Sequence, residues 1–150
     1  MNWLEQYAIE DEEFRKHGGA VWREFKLACR TIVESFNRIY GHPERPLAVF
    51  GDCADIDLNC FNVRVMAMAR TPERVLDAWF KPEGREITFT LISAESIPKL
   101  SIGAKGKPPD GLSLYRVDDP VTVTRASQLV LEPFLFPSGK RPLPVNPPVV

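Results

Sequence analysis

The sequence predicts a two-layer α+β domain, in which a long N-terminal helix and a short C-terminal helix lie on one face of an antiparallel sheet of about four to six strands. Apolar residues between Trp3 and Tyr40 recur at three-and-four spacing, and several later segments alternate apolar with polar residues. A sheet that is apolar on one face needs a cover, and no other segment carries so long an apolar stripe.

The stripe of the first helix comprises Trp3, Leu4, Tyr7, Phe14, Val21, Trp22, Phe25, Cys29, Ile32, Val33, Phe36, Ile39 and Tyr40, with Arg15, Lys16, Arg23, Glu24, Lys26, Arg30, Glu34 and Arg38 mostly between them. Gly41, followed by His42 and Pro43, ends it, with glycine expected in a left-handed C′ conformation. Gly18 and Gly19 together cost roughly 2 kcal/mol relative to alanine and are the weak point of this helix, which either runs on through them or kinks or breaks into two there.

Beyond Pro46 the period becomes strand-like. Leu47 to Phe50 is a short apolar run ended by Gly51-Asp52, and the long strand expected from Ile56 to Ala69 places Phe61, Val63, Val65, Ala67 and Ala69 on one face. A hairpin is predicted from Arg74 to Ile92, turning at Lys81-Pro82-Glu83-Gly84, with Leu76, Ala78 and Phe80 sharing a face with Ile87, Phe89 and Leu91. Thr71-Pro72-Glu73 also reads as a helix start, and a helix to Phe80 is the competing reading. Leu100 to Lys105 and Leu112 to Val117 form a looser second hairpin, and an edge strand through Val121 and Val123 leads to a closing helix over Thr124 to Phe136, kinked or ended by Pro133. Residues 1–136 form one domain; 137–150, with prolines at 137, 142, 144, 147 and 148, are a proline-rich tail outside the fold.

A chain of 150 residues, 44% of them hydrophobic, holds one real core. Its net charge of −1 disfavours nucleic acid and anionic membrane as partners. The absence of a basic, apolar leader and of any run of membrane-span length points to the cytoplasm. Cys29, Cys53 and Cys60 make an odd count without C-x-x-C, against both a disulfide framework and a structural zinc site, with Cys29 a core residue.

The cluster most suggestive of chemistry is Gly51 to Leu58, with Asp52, Asp55 and Asp57. In a strand, Asp55 and Asp57 project from one face about 7 Å apart, a spacing at which two carboxylates share a divalent cation, and Asp77 supplies a third ligand from a neighbouring strand. These few residues resemble the D-x-D strand of the nucleotidyltransferases, which implies magnesium bound for attack on a nucleoside triphosphate. The sequence departs from that pattern: only two residues separate Asp52 from Asp55, with no room for the family's phosphate-binding turn and helix. Gly103-Ala104-Lys105-Gly106-Lys107 has the composition of a phosphate loop but the wrong spacing, and Pro108-Pro109 follows it in place of a helix. His17 and His42 have no partner at a recognisable spacing, and no G-x-S-x-G is present.

No convincing catalytic or metal set emerges, and the leading expectation is a non-catalytic protein-binding or adaptor module without a cofactor. The alternatives are the magnesium-dependent nucleotide enzyme and a small-ligand binder with its pocket between helix and sheet. Expected contact residues are Trp79 and Phe80 beside the hairpin turn, Phe134 and Phe136 at the end of the last helix, and Arg141, Pro144 and Pro147, which fit the basic-x-x-P-x-x-P pattern of peptides that dock on SH3 domains. An uncovered strand edge allows homodimerisation.

Overall fold

The computed structural model describes residues 2–41, 47–52, 59–68, 71–92, 97–105 and 111–146. The first helix, α1 (Trp3–Tyr40), is continuous through the glycine pair and is capped by Asn2, whose side chain accepts the Glu5 N–H at 2.9 Å. Gly18 makes room for a close approach: a Cβ there would stand 2.7 Å from the Phe14 ring. That ring is held in turn by Phe80, 6.3 Å away, and by the Arg85 guanidinium at 5.2 Å. At Gly19 a Cβ would meet only the tip of Arg23, at 3.3 Å.

The two glycines should therefore respond in opposite senses. Gly19→Ala is expected to raise stability by about 0.5–1 kcal/mol through helix propensity alone. Gly18→Ala should lower it by about 1 kcal/mol as Phe14 is displaced. Paired denaturant titrations check this, and two changes of the same sign would count against the packing described. At the far end, Gly41 is extended (φ −98°, ψ 170°), not left-handed as expected. Its glycine serves proximity, since a Cβ would lie 2.9 Å from the Asn37 carbonyl oxygen.

Seven strands follow, more than the sequence suggests: β1 (Ala48–Asp52), β2 (Cys60–Met68), β3 (Thr71–Lys81), β4 (Glu86–Ile92), β5 (Leu100–Ala104), β6 (Leu112–Arg116) and β7 (Asp119–Val121). They form one antiparallel meander in chain order. Residues 71–80 are strand, so the helix suggested by Thr71-Pro72 does not form; pairing on both sides outweighs a local capping signal. The predicted hairpin closes on the Lys81–Glu86 pair, but the left-handed residue is Arg85 (φ 51°), after a 3-10 turn over Pro82–Gly84. The second helix, α2 (Val123–Leu135), is capped by Thr122 and contains Pro133 within its last turn, where few backbone bonds remain to be lost.

Register puts Phe61, Val63, Leu76, Ala78, Phe80, Ile87, Leu100, Ile102 and Leu114 on one face, and all are buried. Trp22 stacks on Phe61 and Phe80 at 5.5 and 5.6 Å, and Phe25 meets Phe61 and Phe89 at 6.2 and 6.0 Å. Phe36 meets Phe136, at the end of α2, edge-on at 5.6 Å, so both helices cover the same face.

A further expectation, that of no disulfide, also fails. Cys60 is disulfide-bonded; Cys29 is free and buried, and Cys53 lies outside the described residues. Part of the proline-rich segment is tied to the end of α1. The N–H groups of Val145 and Asn146 both donate to the Ile39 carbonyl at 2.9 Å, and the Asn146 side chain donates to the Arg38 carbonyl at 3.3 Å. A helix ends with unsatisfied carbonyls, and this strap fills some of them.

Candidate functional site

The alternation of bonds along β1 decides what its outer edge offers. Leu47 accepts from the Met66 N–H at 2.8 Å, so Leu47 and Met66 are a hydrogen-bonded pair. Val49 and Gly51 then face β2, and the N–H and C=O groups of Ala48, Phe50 and Asp52 face outward. Asn37, on α1, fills the first of these positions. Its Nδ2 donates to the Ala48 carbonyl at 2.6 Å and its Oδ1 accepts the Ala48 N–H at 2.9 Å, so one side-chain amide stands where a neighbouring strand would begin. Beyond Asn37, the outward groups of Phe50 have no partner among the described residues.

α1 runs alongside β1 in the opposite direction, tied at one end by Asn37–Ala48 and at the other by Lys26 Nζ to Asp52 Oδ1 at 2.5 Å. Between helix and edge lies a cleft of about 550 Å³. Its helical wall is Arg23, Lys26, Leu27, Arg30, Val33, Glu34 and Asn37, and its strand wall is β1 itself. Leu27 points away from the core stripe and is 63% exposed, an apolar residue in the middle of a charged wall. Arg30 contacts Glu34 at 3.2 Å and Lys26 contacts Asp52, which leaves Arg23 as the wall's cation without an ion pair among the described residues.

An unpaired strand edge can add one more strand, held by main-chain hydrogen bonds, with side-chain contacts deciding which sequence fits. An extended residue occupies roughly 160 Å³ at sheet spacing, so the cleft accommodates about three residues.

The residues singled out from sequence are dispersed. Asp55 and Asp57 lie outside the described residues; Asp77 stands half-buried on the uncovered face of the sheet, paired across the strands with Asn62 and Thr90. No group of three acidic, histidine or cysteine side chains suited to a metal occurs among the described residues. His17 is exposed, 3.5 Å from Glu13, and His42 is not described. Gly103 is part of β5, and the rest of the lysine-rich turn beyond Lys105 falls outside the described residues as far as Gly111.

Of the expected contact residues, Phe80 and Phe134 are core, 8% and 2% exposed, and offer a partner no surface. Phe136 packs on Phe36 and Tyr40. Trp79 is half-buried on the uncovered face with Lys81 Nζ 5.7 Å from its ring. Arg141 lies over the Phe136 ring at 5.9 Å, Pro144 is exposed between it and the Asn146 anchor, and Pro147 is not described.

The cleft residues Arg23, Leu27, Arg30 and Asn37 were not singled out by sequence reasoning. The available signal was Leu27, the one leucine on the charged face of the helix. No protein-family model matches the chain, and no curated protein or solved structure matches it either. No helix among the described residues is long and apolar enough to cross a membrane.

Proposed function

We propose that the protein is a non-catalytic binding module that takes an extended acidic peptide along the outer edge of β1. The observation that carries this reading is the Phe50 main chain, unpaired among the described residues and facing a cleft whose helical wall bears Arg23, Lys26 and Arg30 around an exposed Leu27. The main chain of the peptide continues the sheet beyond Asn37, its acidic residues meet Arg23 and Arg30, and an alternate apolar residue covers Leu27. Asn37 limits the pairing at one end, which favours a short segment over the edge-to-edge pairing of two copies.

The test uses a synthetic heptapeptide alternating valine with glutamate, its lysine counterpart, and a glutamate version N-methylated at alternate amides. The glutamate peptide should bind, more weakly at higher salt, and the other two should not. Arg23→Glu with Arg30→Glu should weaken binding by about tenfold or more. Equal binding of the lysine peptide, or indifference to N-methylation, would refute the reading.

The cleft volume also falls in the range of small-molecule sites, and a small acidic ligand is the second reading. That ligand would bind regardless of Phe50 main-chain pairing. The magnesium-dependent nucleotide reading rests on Asp55, Asp57 and Asp77, of which Asp77 alone is among the described residues, and a melting temperature unmoved by millimolar magnesium would end it. The cytoplasmic assignment has the disulfide at Cys60 against it, because such bonds persist mainly in oxidising compartments.

A further inference from the structure

The apolar stripe of α1 does not stop where the sheet does. Tracing back from Phe25, Trp22, Gly18 and Phe14, the same face continues through Tyr7 and Leu4, with Trp3 at its margin. Phe14 is the first of these to reach the sheet, against Phe80. Before it, every residue from Trp3 to Ala8 is exposed: Trp3 by 65%, Leu4 by 60% and Tyr7 by 58%. Trp3 and Tyr7 meet edge-on at 5.6 Å, forming a ready-made aromatic patch.

Charge decides what covers this patch. Glu5, Glu10, Asp11, Glu12 and Glu13 fall within residues 2–13, which contain no lysine, arginine or histidine. Asp11 is paired with Arg85 and Glu12 with Arg15, while Glu5 and Glu10 pair with no base among the described residues. Two copies laid together along this segment would set acid against acid, and an anionic membrane would be repelled.

We propose that the projecting end of α1 is a docking surface for a basic amphipathic helix of another protein, which lays leucine-like residues on Trp3, Leu4 and Tyr7 and lysine or arginine against the flanking acids. This surface is separate from the cleft beside β1 and of opposite charge preference, and it stands whether or not the cleft binds peptide. With both surfaces filled, the protein joins an acidic strand to a basic helix.

The probes are a three-heptad helical peptide with leucine at the apolar positions and lysine elsewhere, and its glutamate counterpart, titrated into the intact protein by fluorescence anisotropy. The lysine peptide should bind and the glutamate peptide should not. Trp3→Ala with Tyr7→Ala should weaken binding about thirtyfold, with net charge and melting temperature unchanged, whereas Leu27→Ala in the cleft should leave it intact. Unaltered binding by the Trp3/Tyr7 variant would show mere charge attraction and overturn the proposal. Self-association lost in that variant, or its binding to neutral phosphatidylcholine vesicles in place of the peptide, would overturn it too.

Discussion

Phe61→Ala is expected to lower the free energy of unfolding by about 4 kcal/mol. Phe61 is fully buried on β2 and is the ring on which the two layers meet: Trp22 and Phe25 of α1 lie 5.5 and 6.2 Å from it, and Phe50 of β1 stacks on it at 5.0 Å. Truncation removes the apolar burial and leaves a void bounded by rings that cannot collapse into it without leaving the sheet. Because Phe50 rests on Phe61, the same change should loosen β1 and weaken peptide binding at its edge. Denaturant titration of the variant measures the first effect; a loss below about 1 kcal/mol would mean that α1 is not seated where described.

The second large effect depends on pH. Cys29 is fully buried on the inner face of α1, and burial pushes its thiol far above its ordinary value of 9.0. The folded protein therefore keeps the proton at a pH where the unfolded chain gives it up. Stability from this group is fully present below pH 9 and is lost progressively as the pH rises above it, by roughly tenfold in the folding equilibrium per pH unit. Cys29→Ala should remove that slope while lowering stability at neutral pH. Urea midpoints of both proteins between pH 7 and 11 test this, and parallel pH profiles would contradict it. In the same protein a thiol reagent at pH 8 should leave Cys29 unmodified until the chain unfolds.

The parts of the fold legible in the sequence are those governed by period. The three-and-four stripe from Phe14 to Phe36 and the alternation through Leu76, Ala78 and Phe80 place those residues on their faces, because helices and strands each repeat a face at fixed intervals. What the sequence hid lies in contacts between segments. Nothing marks Asn37 as the side chain that pairs with Ala48 eleven residues on, since either its amide or a solvated one would suit a helix. Gly18 reads as a weak point until the Phe14 ring is seen lying across it. The edge strand expected through Val121 and Val123 reaches the three-residue β7 (Asp119–Val121) only in part, because so short a run containing Pro120 leaves little period to register. The strap at Val145 and Asn146 sits in a composition typical of disorder, and only the open carbonyls at the end of α1 explain its place. For the same reason the acidic pair Asp55 and Asp57 drew attention in sequence, while the Arg23, Leu27 and Arg30 wall, spread over two helical turns among other charges, did not.

Residue-resolved amide hydrogen exchange along β1, with and without the valine-glutamate peptide, tests the edge most directly. In the free protein Ala48, Val49 and Gly51 should exchange slowly and Phe50 fast, since Asn37 protects the first and β2 the other two. Saturating peptide should bring Phe50 into line with its neighbours. A Phe50 amide that is already slow without peptide, or that stays fast with the peptide bound, would contradict the account.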